Sequence, residues 1–320
     1  MLGAVDLGLI FGLMALGVYL TFRILDFADL TVDGSFTTGG AITATLITGG
    51  VSPLLATLCG GVGGLAAGAV TGLLNTKGRI HPLLAGILTQ IALYSINLRI
   101  MGRANKPLLR MNTLFSPLRD AGLLGTPASI GILAGVVALF VVALDWFLGT
   151  DLGLALRATG DNDQMARAQG INTGAMKVLG LALSNGLVAL SGGLLAQYQG
   201  FADIGMGIGM IVAGLASVII GTAILDSALV WVATIAVVVG SIVYRLVIQL
   251  ALSVGLNPND MKLVSAVIVV IALLLPRWRP LARLQARRMA HNLPAEPDIA
   301  PEPEEADPEA GLFTPGSRHA

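Results

Sequence analysis

The chain has 320 residues, of which 55% are hydrophobic and only 12% are charged, about half the charged fraction of ~25% in a soluble domain. Its mean hydropathy is +0.82 and its formal net charge is zero. This composition excludes a soluble globular enzyme, a disordered protein and a nucleic-acid binder with a basic surface, which leaves a polytopic membrane protein.

The zero net charge divides into two opposite parts. Residues 1–288 carry 18 Lys and Arg against 12 Asp, a net charge of +6. Residues 289–320 carry one Arg against two Asp and five Glu, a net charge of −6, together with six of the 14 prolines. Such a stretch buries too little apolar area to offset its chain entropy. We therefore expect a transmembrane domain over 1–288 and a disordered acidic, Pro-rich cytoplasmic tail over 289–320.

Cysteine and histidine indicate no bound metal and no cofactor. Cys59 is the only cysteine and the three histidines are scattered, so neither an intrachain disulfide nor a metal site is expected. Asp6 precedes the first apolar run, and no basic region comes before it. That run is therefore expected to stay as a membrane span rather than to be cleaved as a signal.

Nine apolar runs are long enough, or nearly so, to cross a hydrocarbon core as helices. All are longer than the ~10 residues of a membrane-spanning strand. The sequence therefore predicts an all-α bundle of about nine transmembrane helices, of which the second and last are short. The runs are 7–25, 36–50, 52–74, 83–98, 127–148, 176–196, 207–225, 228–250 and 263–275.

The distribution of Lys and Arg predicts an outer N-terminus and an inner C-terminus. With this orientation 11 basic residues before the tail fall inside and seven fall outside. The inner set is Arg23, Lys77, Arg79, Arg157, Arg167, Lys177, Arg277, Arg279, Arg283, Arg287 and Arg288. Several of the outer seven lie in the basic loop 99–119. Three explanations of this loop stay open: it is re-entrant, it faces an acidic partner, or its cations reach lipid headgroups.

A stripe of glycines marks the third run. Gly60, Gly64, Gly68 and Gly72 recur at every fourth residue and so share one helix face. Small residues at this spacing let a neighbouring helix approach closely, which is how helices associate in lipid. We interpret the stripe as a packing surface rather than as a ligand site.

An internal repeat relates the two ends of the membrane domain. Gly12–Leu16 resembles Gly186–Leu190, and at the same shift Phe27-Ala28-Asp29 matches Phe201-Ala202-Asp203. In the predicted topology the first copy follows an outside-to-inside span and the second an inside-to-outside span. The repeat is therefore expected to be inverted, an arrangement typical of transporters.

Acidic residues lie between the first two runs, where burial would be costly. Gly34 and the polar residues around it predict a broken helix that dips into the membrane, and carboxylates at such depth usually serve function. Pathway lining is favoured for Asp29, which is repeated at Asp203, whereas for Asp33 an N-cap of the second span is favoured over pathway lining. We predict that the translocation pathway is lined by Asp29, Thr31, Asp33, Ser35 and Asp203. The further polar residues Gln90, Asn97, Asn185 and Gln197 are interpreted mainly as interhelical hydrogen-bonding groups.

A short capped helix is predicted in the cytoplasmic loop 151–175. Asp161 is suited to N-cap it, Gln164 follows three residues later as in a capping box, and Gly170 ends it. Two helical turns that expose Met165 and Ala166 do not stand alone in water. The helix is expected to dock into another protein or to lie at the membrane interface.

Three motifs in their expected order resemble permeases of ABC importers of the branched-chain amino acid and ribose type. They are the loop Leu156–Asn172, which is similar to a coupling helix, the stretch Asp29–Ser35 and the segment Asn257–Leu263. The likeness covers roughly residues 5–280 and is strongest to the subgroup linked to tryptophan, tyrosine or other amino acids. Asp33 stands where the sugar permeases lack an acid, and the acidic tail matches nothing in the family.

The resemblance implies a dimer with a second permease copy or paralogue, an ATPase subunit inside and a solute-binding protein outside, in a bacterial inner membrane. None of the four lysines ends a P-loop motif, so ATP hydrolysis would belong to the partner chain. A self-contained secondary transporter or channel, coupled through Asp29 and Asp203, is the alternative, and a membrane enzyme is disfavoured. By the resemblance, the ATPase would be contacted by Arg157, Ala158, Thr159, Gly160, Asp161, Asn162, Met165, Ala166 and Gly170.

Overall fold

A computed structural model describes residues 2–225, 229–254 and 261–274. The predicted tail, the basic residues 277–288 and most of the Asn257–Leu263 motif lie outside the described residues. The division between membrane domain and tail near residue 288 therefore stays a prediction.

The described chain is almost entirely helical. Two three-residue strands pair in antiparallel register, with Asn105 opposite Asp203 and Pro107 opposite Phe201. The elements are α1 (Leu2–Tyr19), a π turn (Leu20–Ile24), α2 (Thr31–Thr48), α3 (Pro53–Thr76), α4 (Pro82–Met101), β1 (Asn105–Pro107), α5 (Ser116–Asp120), α6 (Pro127–Leu148), α7 (Asp151–Asp161), α8 (Asp163–Ala168), α9 (Thr173–Gln199), β2 (Phe201–Asp203), α10 (Met210–Ile224), α11 (Val230–Ser253) and α12 (Met261–Leu274).

Each of the nine apolar runs coincides with a helix. Within the described ranges, six helices are long and apolar enough to cross a membrane: α1 with its π turn, α3, α4, α6, α9 and α11. The other three, α2, α10 and α12, have 18, 15 and 14 described residues. The all-α polytopic class is confirmed, and the crossing of the membrane by all nine helices stays a prediction.

Proline and glycine set several of the boundaries. Pro53, Pro82 and Pro127 each occupy the first turn of their helix, where no intrahelical partner for the missing N–H is needed. Gly102 and Gly200 end α4 and α9 in the left-handed conformation that glycine adopts without a steric penalty.

Helix α1 lies at the centre of the bundle. In the apolar stretch of α1 and its π turn, 83% of the residues are buried, compared with 28% in the corresponding stretches of α4 and α6. Serine hydroxyls tie it to its neighbours: Ser184 and Ser191 of α9 donate to the carbonyls of Gly17 and Ile10, each at 2.7 Å, and Ser241 of α11 donates to Gly8. Helices α4 and α6 therefore lie at the periphery.

Four consecutive helices near one end of the chain have counterparts near the other. Moving α1, α2, α3 and α4 along the chain by 174 residues (203 minus 29) places them on α9, α10, α11 and α12. Packing is exchanged between the two sets, because α1 contacts α10 and α11 whereas α9 contacts α2 and α3.

The connections gather at two opposite ends of the helices. At one end, the α3–α4 connection and the segment after α8 line a shared cleft of about 650 Å³ that contains Arg79, Arg167 and Lys177. At the other end, Lys106 donates to Thr45 of α2, and Leu114 donates its N–H to Gln197 of α9. The basic loop 99–119 thus lies at the end opposite α7 and α8.

Candidate functional site: a coupling segment and a translocation pathway

The predicted short helix is present as α8, but its cap lies one residue later than expected. Asn162, not Asp161, is the N-cap, and its Oδ1 accepts from the N–H of Met165 at 2.9 Å. Asp161 ends the preceding helix α7, which also contains Arg157, Ala158, Thr159 and Gly160. The asparagine prevails because its extended backbone, at φ −156°, breaks the helix between the two elements.

The C-terminal end of α8 is as expected, whereas one of its exposed residues is not. Gly170 has φ +86°, and the next N–H, from Ile171, reaches back to the Ala166 carbonyl. Met165 is 59% exposed, but Ala166 is only 2% exposed, which corrects the prediction that both face water. Met165 is thus the large apolar side chain that α8 presents outward.

Helix α7 packs against the π turn (Leu20–Ile24) that follows α1. A Cβ at Gly160 would collide with the Ile24 carbonyl, and Thr159 is buried. This contact leaves no room to shift α7 without moving the π turn that follows α1.

An ion-pair cluster attaches α8 to α9. Asp163 contacts Arg167 at 2.7 Å and Lys177 at 3.3 Å. Burial alone would raise the pKa of the Asp163 carboxyl, but hydrogen bonds from Thr173 and Lys177 and the charges of Lys177 and Arg167 hold it below its usual value. The carboxylate is therefore charged at neutral pH.

The broken helix lies earlier in the chain than predicted. Gly34 is inside α2, and the break is the segment before Thr31, where Asp26 has φ +50°. Gly34 instead accommodates α4, since a Cβ there would meet Leu93 and Gln90. Its role is close packing rather than interruption of the helix.

Asp29 is fixed by hydrogen bonds in the protein interior. Its carboxylate accepts from the Thr31 N–H at 2.9 Å and from the Asn185 amide of α9 at 2.6 Å. Thr31 is buried and bonds Thr71 of α3, and Ser35 is buried with a hydroxyl that has no hydrogen-bond partner in the structure. The structure therefore brings these residues together between α2, α3 and α9.

Asp33 caps a different helix from the one predicted. Its two carboxylate oxygens accept from the N–H groups of Gly209 and Ile211, at 2.9 and 2.8 Å, at the start of α10. Leu30 is at the N-cap position of α2, and Asp29, one residue earlier, accepts from the N–H of Thr31, the first residue of that helix. The prediction that Asp33 caps its own helix is wrong because the side chain already lies within the first turn of α2.

Asp203 repeats the local geometry of Asp29 in a more exposed place. Its Oδ1 accepts from the N–H two residues later, on Gly205, at 2.8 Å, as Asp29 does from Thr31. Its other oxygen accepts from Asn105 on the paired strand. The structure separates the two aspartates, which lie in different environments.

The glycine stripe faces two helices. Added Cβ atoms at Gly64, Gly68 and Gly72 would meet the backbone of α9, and one at Gly60 would meet Gly39 of α2. These contacts leave no space for a side chain at the four glycines.

Two polar residues that the sequence analysis named have surroundings that it did not predict. Asp6 is fully buried and accepts from Ser129 and from the Gly125 N–H at the start of α6. Asn97 and Tyr94 line a cavity beside Asp33. The signal available in the sequence was an isolated polar residue within or beside an apolar run. No group of three or more potential metal ligands occurs within the part of the chain that the structure describes.

Comparison with known proteins agrees with the helical architecture. Residues 1–274 match the family described as "Branched-chain amino acid transport system / permease component". The chain is 44% identical to a tyrosine transport system permease protein of Clostridioides difficile (strain R20291), over 82% of this chain and 86% of the relative. It is 34% identical to an uncharacterized protein of Rickettsia prowazekii (strain Madrid E), over 84% and 95%. It is 28% identical to the Escherichia coli (strain K12) ribose import permease, over 55% and 54%. No solved structure matches.

The relatives with assigned names are transport permeases rather than enzymes. Together with six apolar helices of spanning length among the described residues, they indicate a multi-pass protein of the bacterial inner membrane. The family match extends over most of the chain and includes the α7–α8 segment and the broken helix before α2. The chain therefore belongs to the branched-chain amino acid transport system permease family.

Proposed function

We propose that the chain is the membrane-spanning permease subunit of an ATP-binding-cassette importer and that it forms the pathway for an amino acid delivered by a binding protein. Its partners are two ATPase subunits, an extracytoplasmic binding protein and a second permease copy or paralogue. The tyrosine permease relative supports an amino acid as the solute.

The observation that carries this proposal is the mechanical connection of α8 to the bundle. Met165 is the large exposed apolar side chain, Asp163 attaches α8 to α9, and Gly160 lets α7 pack closely against the π turn that follows α1. A displacement of α8 is therefore transmitted to α9 and, through α7 and the π turn, to α1, and these two helices pack against each other. Closure of the ATPase dimer would move this segment and switch the pathway between outward and inward access.

The arrangement of basic residues and helices supports the predicted topology. In this proposal α7 and α8 face the cytoplasm, loop 99–119 faces outward toward an acidic partner, and α1–α4 and α9–α12 form an inverted repeat. The constant shift of 174 residues (203 minus 29) and the exchanged packing of α1 and α9 favour this interpretation. Inverted repeats put the pathway near the interface between repeats.

A secondary transporter has less support. It would need carboxylates free to bind and release an ion, whereas Asp29 is buried and held by Asn185 and Thr31. Asp203 is bonded to Gly205 and Asn105.

The test is purification of the tagged full-length chain from its own membranes in mild detergent, with Met165→Asp beside the wild type. We expect an ATPase subunit to copurify with the wild type and to be reduced with the variant, because a charge replaces the exposed apolar contact. Leu109→Asp is the matched control, since Leu109 is 71% exposed at the opposite end of the bundle. Recovery of no ATPase with the wild type, or equal loss with both variants, would contradict the proposal.

A further inference from the structure

A cavity of about 510 Å³ opens beside the broken helix, on the peripheral helix α4. Its walls come from α2, α4 and the segment that joins β2 to α10. The lining residues are Asp33, Gly34, Thr37, Gln90, Ile91, Tyr94, Ser95, Asn97, Ile204 and Ile208.

The electrostatic character of the cavity is negative. Of its described lining residues, Asp33 alone carries a formal charge, and no lysine, arginine or histidine is among them. The N–H groups of Gly209 and Ile211 hold the carboxylate in place. Since an ionised carboxylate has about four lone-pair sites, two such bonds leave acceptor capacity free for a cation.

A second acceptor belongs to the wall of the same cavity. Asn97 is 1% exposed, and its Nδ2 donates to the carbonyl of Gly34, the residue next to Asp33. Its Oδ1 has no hydrogen-bond partner in the described structure although it is buried. A buried acceptor left unpaired is costly and calls for a donor. An ammonium group, with several N–H donors on one atom, suits both acceptors.

The rest of the wall is apolar with a few neutral polar groups. Tyr94 is 51% exposed, and three isoleucines line the same space. An aromatic ring offers offset or edge-to-face contact to another ring and attracts cations over its face. Gln90 and Ser95 carry uncharged donors suited to a carboxylate.

We propose that this cavity is a transit site on the translocation pathway for an amino acid with an aromatic side chain, with Asp33 and Asn97 receiving its ammonium group and Tyr94 contacting its ring. This assignment rests on the proposed function and adds the solute class and the groups recognised. Because Asp33 also serves the start of α10, its attraction for the solute is limited, which suits a site that must release what it binds.

The test measures direct binding to the purified full-length permease in lipid nanodiscs, by saturation-transfer NMR. The probes are L-tyrosine, tyramine, which lacks the carboxylate, and 3-(4-hydroxyphenyl)propionate, which lacks the ammonium group, with ribose as a neutral polyol. We expect L-tyrosine and tyramine to bind, and the ammonium-free acid to bind about tenfold or more weakly because charge-assisted hydrogen bonds are lost. Ribose is expected not to bind.

Tyr94→Leu and Asn97→Leu are the informative variants, with Asp33→Asn as a third. Each is expected to weaken L-tyrosine binding about tenfold. Trp146→Leu is the matched control, because Trp146 is a 73% exposed aromatic residue on α6, outside the cavity. Gel filtration shows whether each variant folds. Because Tyr94 is half exposed, Tyr94→Leu is expected to fold, and it provides the test if Asp33→Asn does not.

Equal binding of the ammonium-bearing and ammonium-free probes would overturn the assignment, as would equal effects of Tyr94→Leu and Trp146→Leu. The proposed function is read separately, from ATPase copurification. If the ATPase copurifies but the permease fails the NMR test, only the transit site is contradicted. If no ATPase copurifies, the importer function itself is contradicted.

Discussion

At the scale of residues, the buried polar groups connect helices that are far apart in sequence. Asp29 bonds Asn185 of α9, Asp33 caps α10, and Asp6 bonds Ser129 of α6. In a lipid-facing bundle such bonds fix register as well as orientation, because an unpaired polar group in an apolar setting costs several kcal/mol (~2–7).

The Asp29–Asn185 hydrogen bond is expected to contribute more stability than the Asp203–Asn105 hydrogen bond. Asn185→Leu removes a 2.6 Å bond from a fully buried carboxylate, so unfolding free energy should fall by about 1.5–3 kcal/mol. Asn105→Leu removes the exposed 3.3 Å bond to Asp203 and should cost less than ~1 kcal/mol. Thermal unfolding followed by tryptophan fluorescence measures both, and equal shifts would contradict the difference in burial.

The Asp163 cluster is expected to be insensitive to pH in the physiological range. Because its pKa is held below the usual ~3.9, the stabilisation is fully present above that value and is lost only as pH falls through the lower folded pKa. Stimulation of the ATPase should therefore show no titration from this group between pH 5.5 and 8. Asp163→Asn should lower stimulation equally at both limits, and a loss confined to the acidic limit would contradict this sign.

At the scale of elements, steric fit explains the positions of the glycines. A Cβ at Gly68 would collide with the Leu181 carbonyl of α9, whereas a Cβ at Gly131 of α6 would meet nothing within 4 Å. Gly68→Ala is therefore expected to destabilise by about 1–3 kcal/mol, as overpacking does. Gly131→Ala should leave stability unchanged or slightly raised, since alanine favours helix by about 0.5–1 kcal/mol. The same thermal assay applies, and a harmless Gly68→Ala would refute the close approach.

The sequence could predict the helices because apolar runs and prolines are local signals. It placed the end of α8 at Gly170 correctly, since glycine is the residue that most readily adopts the left-handed conformation that ends a helix. It misassigned the cap between Asp161 and Asn162, because both residues can cap and the backbone break decides between them. The hydrogen bond from the start of α10 to Asp33 could not be predicted from the sequence, because its donor Gly209 is distant in the chain.

At the scale of the whole molecule, two ends with different chemistry define the proposed orientation. The α7–α8 end carries the exposed Met165, and the opposite end carries the exposed Leu109 and the basic loop 99–119. The packing that joins the ends passes through α1 and α9.

Cysteine labelling tests this orientation in cells. Because Cys59 is exposed, the background is Cys59→Ser, with Leu109→Cys or Met165→Cys added singly. A membrane-impermeant maleimide is expected to label Leu109→Cys in intact spheroplasts and Met165→Cys only after permeabilisation. The reverse pattern would place the N-terminus inside and remove α8 from reach of a cytoplasmic ATPase.

The exchanged packing of α1 bears on how the protein is made. This helix leaves the ribosome long before α10 and α11, yet those later helices cover it, and Ser241 reaches its Gly8 carbonyl. During synthesis its future contact surface must be shielded by lipid or by the insertion machinery until α9, α10 and α11 are made. The first four helices therefore have no complete fold of their own, and the fold is completed only when the later helices are in place.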